Sequence, residues 1–227
     1  MDQKPYGEVF LINKPYRWTS FDVVKKIRNT LKIKKVGHAG TLDPLATGLL
    51  IICAGKKTKS INDYMGMEKE YTGTFVLGKT TASFDLEQEI ENVADPSHLT
   101  LEEVKKASQK LTGDILQIPP AHSAIKKDGK RVYESARKGK EVKLDPRPVK
   151  ISLFEITRFE LPEIDFRIIC SKGTYIRSIA RDIGEILKVG AYMSALTRTR
   201  IGNFKLDDAN EVMELVDKIK SEKTQDQ

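Results

Sequence analysis

Apolar and polar residues alternate along this chain in two rhythms. One has a period of two and the other a period near 3.6. Glu8–Ile12 reads as a short strand running into Asn13-Lys14-Pro15. From Ser20 the beat changes: Val23, Val24, Ile27 and Leu31 fall on one face of a helix that Ser20 can cap. Gly48–Ala54 (GLLIICA) is an unbroken apolar run and reads as a buried strand, although periodicity alone does not separate a strand from a buried helical segment. A helix is expected over Thr58–Met65 and a strand over Tyr71–Leu77. Thr100 and Glu103 form a capping-box pattern ahead of a helix ending near Gly113. Val149–Phe159 and Ile164–Cys170 read as strands, the second alternating as Ile164, Phe166, Ile168 and Cys170. Thr174–Leu187 reads as a helix capped by Thr174, Ala191–Phe204 as a strand, and Asp208–Lys220 as a polar helix before a frayed tail.

Residues 119–150 interrupt this pattern with Lys, Arg, Gly and Pro. Asp128-Gly129 is a hairpin-turn signal there, and Val132–Arg137 reads as a short helix stopping at Gly139. The stretch reads as a surface lobe inserted into the main body. Strands and helices follow one another without a regular βαβ beat, so the expected class is α+β. The expected organisation is one domain over residues 1–227 with a basic insert at about 100–150.

Composition narrows the picture. The chain has 227 residues, 39% hydrophobic and 31% charged, which excludes wholesale disorder. It holds no apolar run of the roughly 18 residues that a spanning helix needs. The N-terminus shows no apolar leader. Cys53 and Cys170 are too few for a disulfide framework, and His38, His98 and His122 are scattered, so no metal is expected. A protein of the cytoplasm follows from this reading.

The net charge of +7 is unevenly spread. Residues 81–100 carry five acids and no Lys or Arg. Residues 21–40, 121–150 and 171–200 carry +5, +6 and +4. Three basic segments far apart in sequence would suit one phosphate-tracking surface if the fold merged them. Solubilising charge on solvated faces would look the same.

The stretch most suggestive of chemistry is Val36 to Gly48, VGHAGTLDPLATG. Gly37 and Gly40 permit tight backbone, and Pro44 pushes Asp43 toward extended geometry. A lone carboxylate on a stiff loop beside a core strand can present an oxygen nucleophile or base. An Asx turn at Asp43 would leave the same pattern. A second stretch, CSKGTYIRSIAR, places Tyr175 and Arg177 in the first turn of a helix, where Arg177 could orient a carboxylate.

With these two stretches in view, the chain resembles the TruB family of tRNA pseudouridine synthases. The resemblance runs in order from about residue 8 to residue 202, through NKP with WTS, GHAGTLDPLATG, KEY, IPPAHSAIKKDGKRVYESARKG, CSKGTYIRSIARDIG and GAYMSALTRTRIG. It implies the pseudouridine synthase fold, with a mixed, mostly antiparallel sheet flanked by helices. It implies Asp43 as the catalytic carboxylate, Tyr71 as the active-site tyrosine, and Arg177 as the partner of the aspartate. Tyr175 then lines the uridine pocket, His38 contacts RNA, and Leu196, Lys14 and Lys172 bind substrate. Ala39 stands where many members carry Thr. About 25 residues follow Gly202, where many relatives append a PUA-type RNA-binding domain.

The implied reaction converts uridine to pseudouridine at position 55 in the T loop of tRNA, on a flipped-out base. It breaks N1–C1′ and rejoins the base through C5, so it needs neither cofactor nor metal. The implied partner is the T-arm stem-loop, with no membrane or obligate protein partner, and the protein acting as a monomer. Whether Asp43 attacks C1′ or C6, or acts first as a base, stays open. A non-catalytic RNA-binding module and a nucleoside hydrolase remain as other classes.

Overall fold

In the computed structural model, residues 7–120, 126–127, 130–131 and 144–225 are described. They cluster into two compact units, one built from Met1–Tyr71 with Leu196–Gln227 and the other from Thr72–Ala195.

The first unit is organised around one strand. β1 (Gly7–Lys14) and β3 (Thr47–Gly55) pair antiparallel along their whole length, from Gly7 opposite Gly55 to Lys14 opposite Gly48. On its other side β3 takes β2 (Val36–His38) at one end. At its opposite end it takes β12 (Ala191–Ile201) in parallel, with Thr197 opposite Thr47. Every residue from Gly48 to Ala54 is buried, which explains the unbroken apolar run.

The period of two sends alternate residues to different faces. Leu50, Ile52 and Ala54 join a core with α1 (Ser20–Leu31) and α5 (Val212–Gln225), whereas Leu49, Ile51 and Cys53 pack with Ala39 and Ile201. Val23, Val24, Ile27 and Leu31 are the buried face of α1, as their spacing predicts. Val212, Leu215, Val216 and Ile219 repeat that spacing on α5. A short β14 (Asn210–Glu211) pairs parallel with the end of β1 and leads into α5, so the last helix starts four residues later than its sequence suggests.

Three caps or starts differ from expectation. Thr19, not Ser20, caps α1; its hydroxyl accepts from the Asp22 amide while Asp22 receives the Thr19 amide. Ser20 is thereby released for another task, described below. The expected helix over 58–65 is a 3-10 turn at Lys56–Ser60 followed by α2 (Ile61–Gly66). Thr174 spends its hydroxyl on the Ser171 carbonyl, so Tyr175 is the N-cap of α4 (Ile176–Leu187).

In the second unit the sheet runs β12, β4 (Lys69–Leu77), β11 (Glu163–Cys170), β10 (Arg147–Glu160), β7 (Gly113–Gln117). β10 and β11 form a long antiparallel hairpin. Phe75 stacks on Phe166 at 4.1 Å between ring centroids, and Phe154 meets both edge-on. Gly73 lets β4 approach β12: a Cβ there would lie 2.3 Å from the Ala195 carbonyl oxygen. α3 (Leu101–Lys110) carries the predicted capping box of Thr100 and Glu103. β5 (Lys79–Thr81) and β6 (Ile90–Asn92) form a small separate hairpin.

Within residues 101–117, α3 is followed by β7, which pairs with β10 in this unit's sheet. Within the basic stretch, β8 (Lys126–Lys127) pairs antiparallel with β9 (Lys130–Arg131), and the turn expected at Asp128-Gly129 lies outside the described residues. The helix expected at Val132–Arg137 lies outside the described residues. The pairing is mixed and mostly antiparallel, with five helices among the described residues, an α+β arrangement. No helix among the described residues is long and apolar enough to cross a membrane.

Candidate active site

Asp43 sits on the connection between β2 and β3, and almost every backbone group around it is held. The loop leaves β2 with the Ala39 amide donating to Ile51 at 2.9 Å. Gly40, at φ 90°, has its carbonyl taken by Arg198 Nη2 at 3.1 Å. Ser20 Oγ accepts from the Leu42 amide at 2.9 Å and donates to the Leu42 carbonyl at 3.2 Å. The Pro44 carbonyl accepts from the Arg17 amide at 2.8 Å and from Lys14 Nζ at 3.3 Å. The Ala46 amide closes a turn onto the Asp43 carbonyl at 3.1 Å. The residues on both sides of Asp43 are thus tied to β1 and α1, so the carboxylate stands on a fixed base.

The exit is as tight. Thr47 and Thr197 hydroxyls lie 2.9 Å apart, and Thr47 Oγ1 donates to the Leu196 carbonyl at 3.5 Å. Gly48 has φ 102°, and a Cβ there would fall 2.4 Å from the Arg198 carbonyl oxygen. Only glycine meets both conditions.

Two buried cations lie beneath the loop. Lys14 has no exposed surface, and its ammonium donates to the carbonyls of Pro15 at 2.9 Å, Trp18 at 2.6 Å and Pro44 at 3.3 Å. Burial pulls its pKa down to about 8, the Asp43 charge working against that and the Arg198 charge with it. Its ammonium is occupied by the protein's own carbonyls. Arg198 is also buried and donates Nε to the Leu49 carbonyl at 2.7 Å. His38 is half-buried at the end of β2. Burial first, and the Arg198 charge second, hold its imidazole below the ordinary value. Its Nδ1 is buried with no hydrogen-bond partner among the described residues.

The same unit carries Leu196 and Tyr71, both buried. Leu196 is the residue of β12 next to the Thr47–Thr197 contact. Tyr71 follows Glu70 on β4, and Thr199 of β12 donates to the Glu70 carboxylate at 2.9 Å and to its carbonyl at 3.4 Å. β12 thus neighbours both the exit of the Asp43 loop and the strand of Tyr71.

The second unit carries Tyr175, Arg177 and Lys172. Gln117 holds the Tyr175 backbone from both sides, its Oε1 accepting from the amide at 2.8 Å and its Nε2 donating to the carbonyl at 3.2 Å. That contact stands in for the absent side-chain cap at the start of α4. Arg177 is buried on the first turn; its Nε lies 3.5 Å from Asp85 Oδ2 and its Nη1 donates to the Ser83 carbonyl at 3.4 Å. Asp85 is itself held by Ser83 Oγ at 2.5 Å and the Glu87 amide at 2.9 Å. Lys172 is exposed in the turn before α4.

Sequence reading missed Ser20 as a loop clamp, Arg198 and Asp85. Arg198 has a local signal: it lies two residues after Leu196 in a strand and so shares its buried face. Asp85 has none, because its burial depends on a bridge to Met193, distant in sequence. Among the described residues no group of three or more His, Cys, Asp or Glu could hold a metal ion.

Comparison with known proteins decides the family. A model described as "TruB family pseudouridylate synthase (N terminal domain)" matches residues 28–176. The chain belongs to the TruB family. A second model, "tRNA pseudouridylate synthase B C-terminal domain", matches residues 177–227. A protein named tRNA pseudouridine synthase B from Flavobacterium johnsoniae is 49% identical over 213 residues, covering 91% of this chain and 93% of the relative. One of the same name from Phocaeicola vulgatus is 53% identical, covering 89% and 88%.

Among solved structures, the chain matches one described as "Crystal Structure of a Cbf5-Nop10-Gar1 Complex" with TM-score 0.74 and 31% identity. The match covers 94% of this chain and 54% of that one, so this chain spans about half its length. A structure titled "Crystal structure of pseudouridylate synthase" shares the fold at TM-score 0.51 and 16% identity. The protein is a pseudouridine synthase of the TruB type, with the fold of that class.

Proposed function

We propose that this protein isomerises uridine to pseudouridine at position 55 in the T loop of tRNA, with Asp43 as the nucleophile. The observation that carries the reading is the braced loop. A reacting carboxylate gains most when its backbone is fixed before the substrate arrives, and Asp43 has its neighbours Leu42 and Pro44 bonded to Ser20, Arg17 and Lys14. Lys14 and Arg198 add a positive field under that base.

The reaction cleaves the N1–C1′ bond, turns the base and forms C5–C1′. The proton lost from C5 is balanced by the one gained at N1, so the product is an isomer of the substrate. In this reading Tyr71 stacks on the uracil as it turns and assists removal of the C5 proton. Tyr175 and Leu196 line the uridine pocket, and Arg177 pairs with the Asp43 carboxylate, offsetting the cost of taking its charge out of water. His38 contacts the RNA and Lys172 its backbone, while Lys14 serves substrate binding through the loop it braces. Flipping the uridine out costs a few kcal/mol, which contacts from the basic segments to phosphates offset. The protein acts as a monomer in the cytoplasm on the T-arm stem-loop.

The test is chemical mapping of pseudouridine in an unmodified tRNA transcript after incubation with the protein. A single new site at position 55 is expected. Conversion only at other positions, or none, contradicts the proposal.

A further inference from the structure

One face of the first unit combines cations, most of them from the basic segment 21–40, with exposed aromatic rings that no role assigned above uses. Tyr16 and Phe21 are 49% and 60% exposed, large values for rings beside a packed core. Each carries an arginine over it: Arg17 Cζ lies 5.6 Å from the Tyr16 centroid, and Arg28 Cζ lies 5.9 Å from the Phe21 centroid. Two grooves run along α1. One, of about 360 Å³, has Arg17, Lys25 and Lys26 in its lining; the other, of about 640 Å³, has Arg28, Lys32 and Lys34, and the two meet at Asn29.

None of these six cations makes an ion pair among the described residues. The one acid in the lining, Asp22, accepts hydrogen bonds from the Thr19 amide and hydroxyl. Six cations against this one carboxylate leave the face strongly positive.

The position of the face also matters. Arg17 adopts φ 64°, a left-handed conformation that glycine would take more easily, and its amide donates to Pro44 beside Asp43. A long cationic side chain thus stands at a strained backbone position beside the residue that follows the candidate nucleophile. The Arg17 end of this face is therefore joined to the Asp43 loop through the Arg17–Pro44 backbone bond. Cationic grooves flanked by flat, exposed rings match RNA: cations track the phosphates, and rings stack on bases that have left their helix. An acidic protein would use the charge but leave the rings idle.

We propose that this face is a second RNA-contact surface. It holds backbone phosphates along α1 and stacks an unpaired base on Tyr16 or Phe21, gripping the RNA whose uridine is presented to Asp43. This rests on the pseudouridylation reading above, and the test separates the two. The paired variants are Lys25→Glu with Lys32→Glu, and Tyr16→Ala with Phe21→Ala. For each, KM and kcat are measured on tRNA, and Kd for the same RNA is measured across a salt series.

The charge variant is expected to raise KM and Kd about tenfold or more, and to lower the slope of log Kd against log salt by about two. The ring variant is expected to raise both by about tenfold with the slope unchanged. Both keep kcat within about twofold, which also reports an intact fold. Wild-type Kd and salt slope in both variants overturn the proposal. A wild-type protein that forms no pseudouridine contradicts the reading of Asp43, while the Kd series still decides this surface.

Discussion

Ser20 and Leu42 exchange a reciprocal pair of hydrogen bonds. The hydroxyl accepts from the Leu42 amide at 2.9 Å and donates to its carbonyl at 3.2 Å. Both residues are buried, and Leu42 immediately precedes Asp43. One side chain at the start of α1 thus satisfies both backbone groups of the residue that sets the direction of the candidate nucleophile.

Ser20→Ala removes both bonds and leaves a buried amide and carbonyl without partners. The expected cost is about 1–3 kcal/mol of stability, read by urea unfolding. Turnover is expected to fall on the order of tenfold, because the carboxylate loses its fixed base. A variant with unchanged stability and turnover contradicts the clamp.

Lys14 gives a pH signature. Its ammonium has three donors for three carbonyls, at 2.6, 2.9 and 3.3 Å. Above its pKa of about 8 a donor is lost and one carbonyl goes without. Turnover is expected to fall above about pH 8 in wild type, while Lys14→Met is slower and lacks that alkaline limb. Stability moves the other way. The folded pKa lies below the ordinary value of 10.5, so the unfolded chain binds the proton more tightly. Between about pH 8 and 10.5 the contribution of Lys14 to stability therefore rises with pH. Denaturant unfolding of wild type against Lys14→Met should shift in favour of wild type over that window. A difference that shrinks as pH rises would contradict the assignment.

Asp85 and Arg177 are a buried pair, 3% and 5% exposed, with Nε 3.5 Å from Oδ2. Asp85→Ala removes this carboxylate from the buried guanidinium, and the expected loss is about 1–3 kcal/mol. Asp85→Asn keeps an acceptor for the Glu87 amide and should lose less. Equal and small losses for both variants would show that the pair contributes little.

The outline of the fold is largely legible in the sequence. The apolar stripe of α1, the capping box of Thr100 and Glu103, and the run GLLIICA are local signals, and each produces the element it predicts. What escapes is non-local. The shift of the α1 cap from Ser20 to Thr19 becomes visible only when Ser20 is seen bonded to Leu42, 22 residues away. Tyr175 replaces Thr174 at the start of α4 because Gln117, from another strand, holds its backbone. Asp85 reads as one acid of five in an acidic stretch until its burial beside Arg177 distinguishes it. The short partners β2, β13 (Phe204–Lys205) and β14 have no pattern of their own and form on longer neighbours.

The central claim is that Asp43 carries the chemistry. Its most direct test is tritium release from tRNA transcripts labelled at C5 of uridine, comparing wild type with Asp43→Ala. Release by wild type is expected, with release by the variant reduced to background while its tRNA affinity and unfolding midpoint stay near those of wild type. Full release by Asp43→Ala, or none by wild type, would contradict the account.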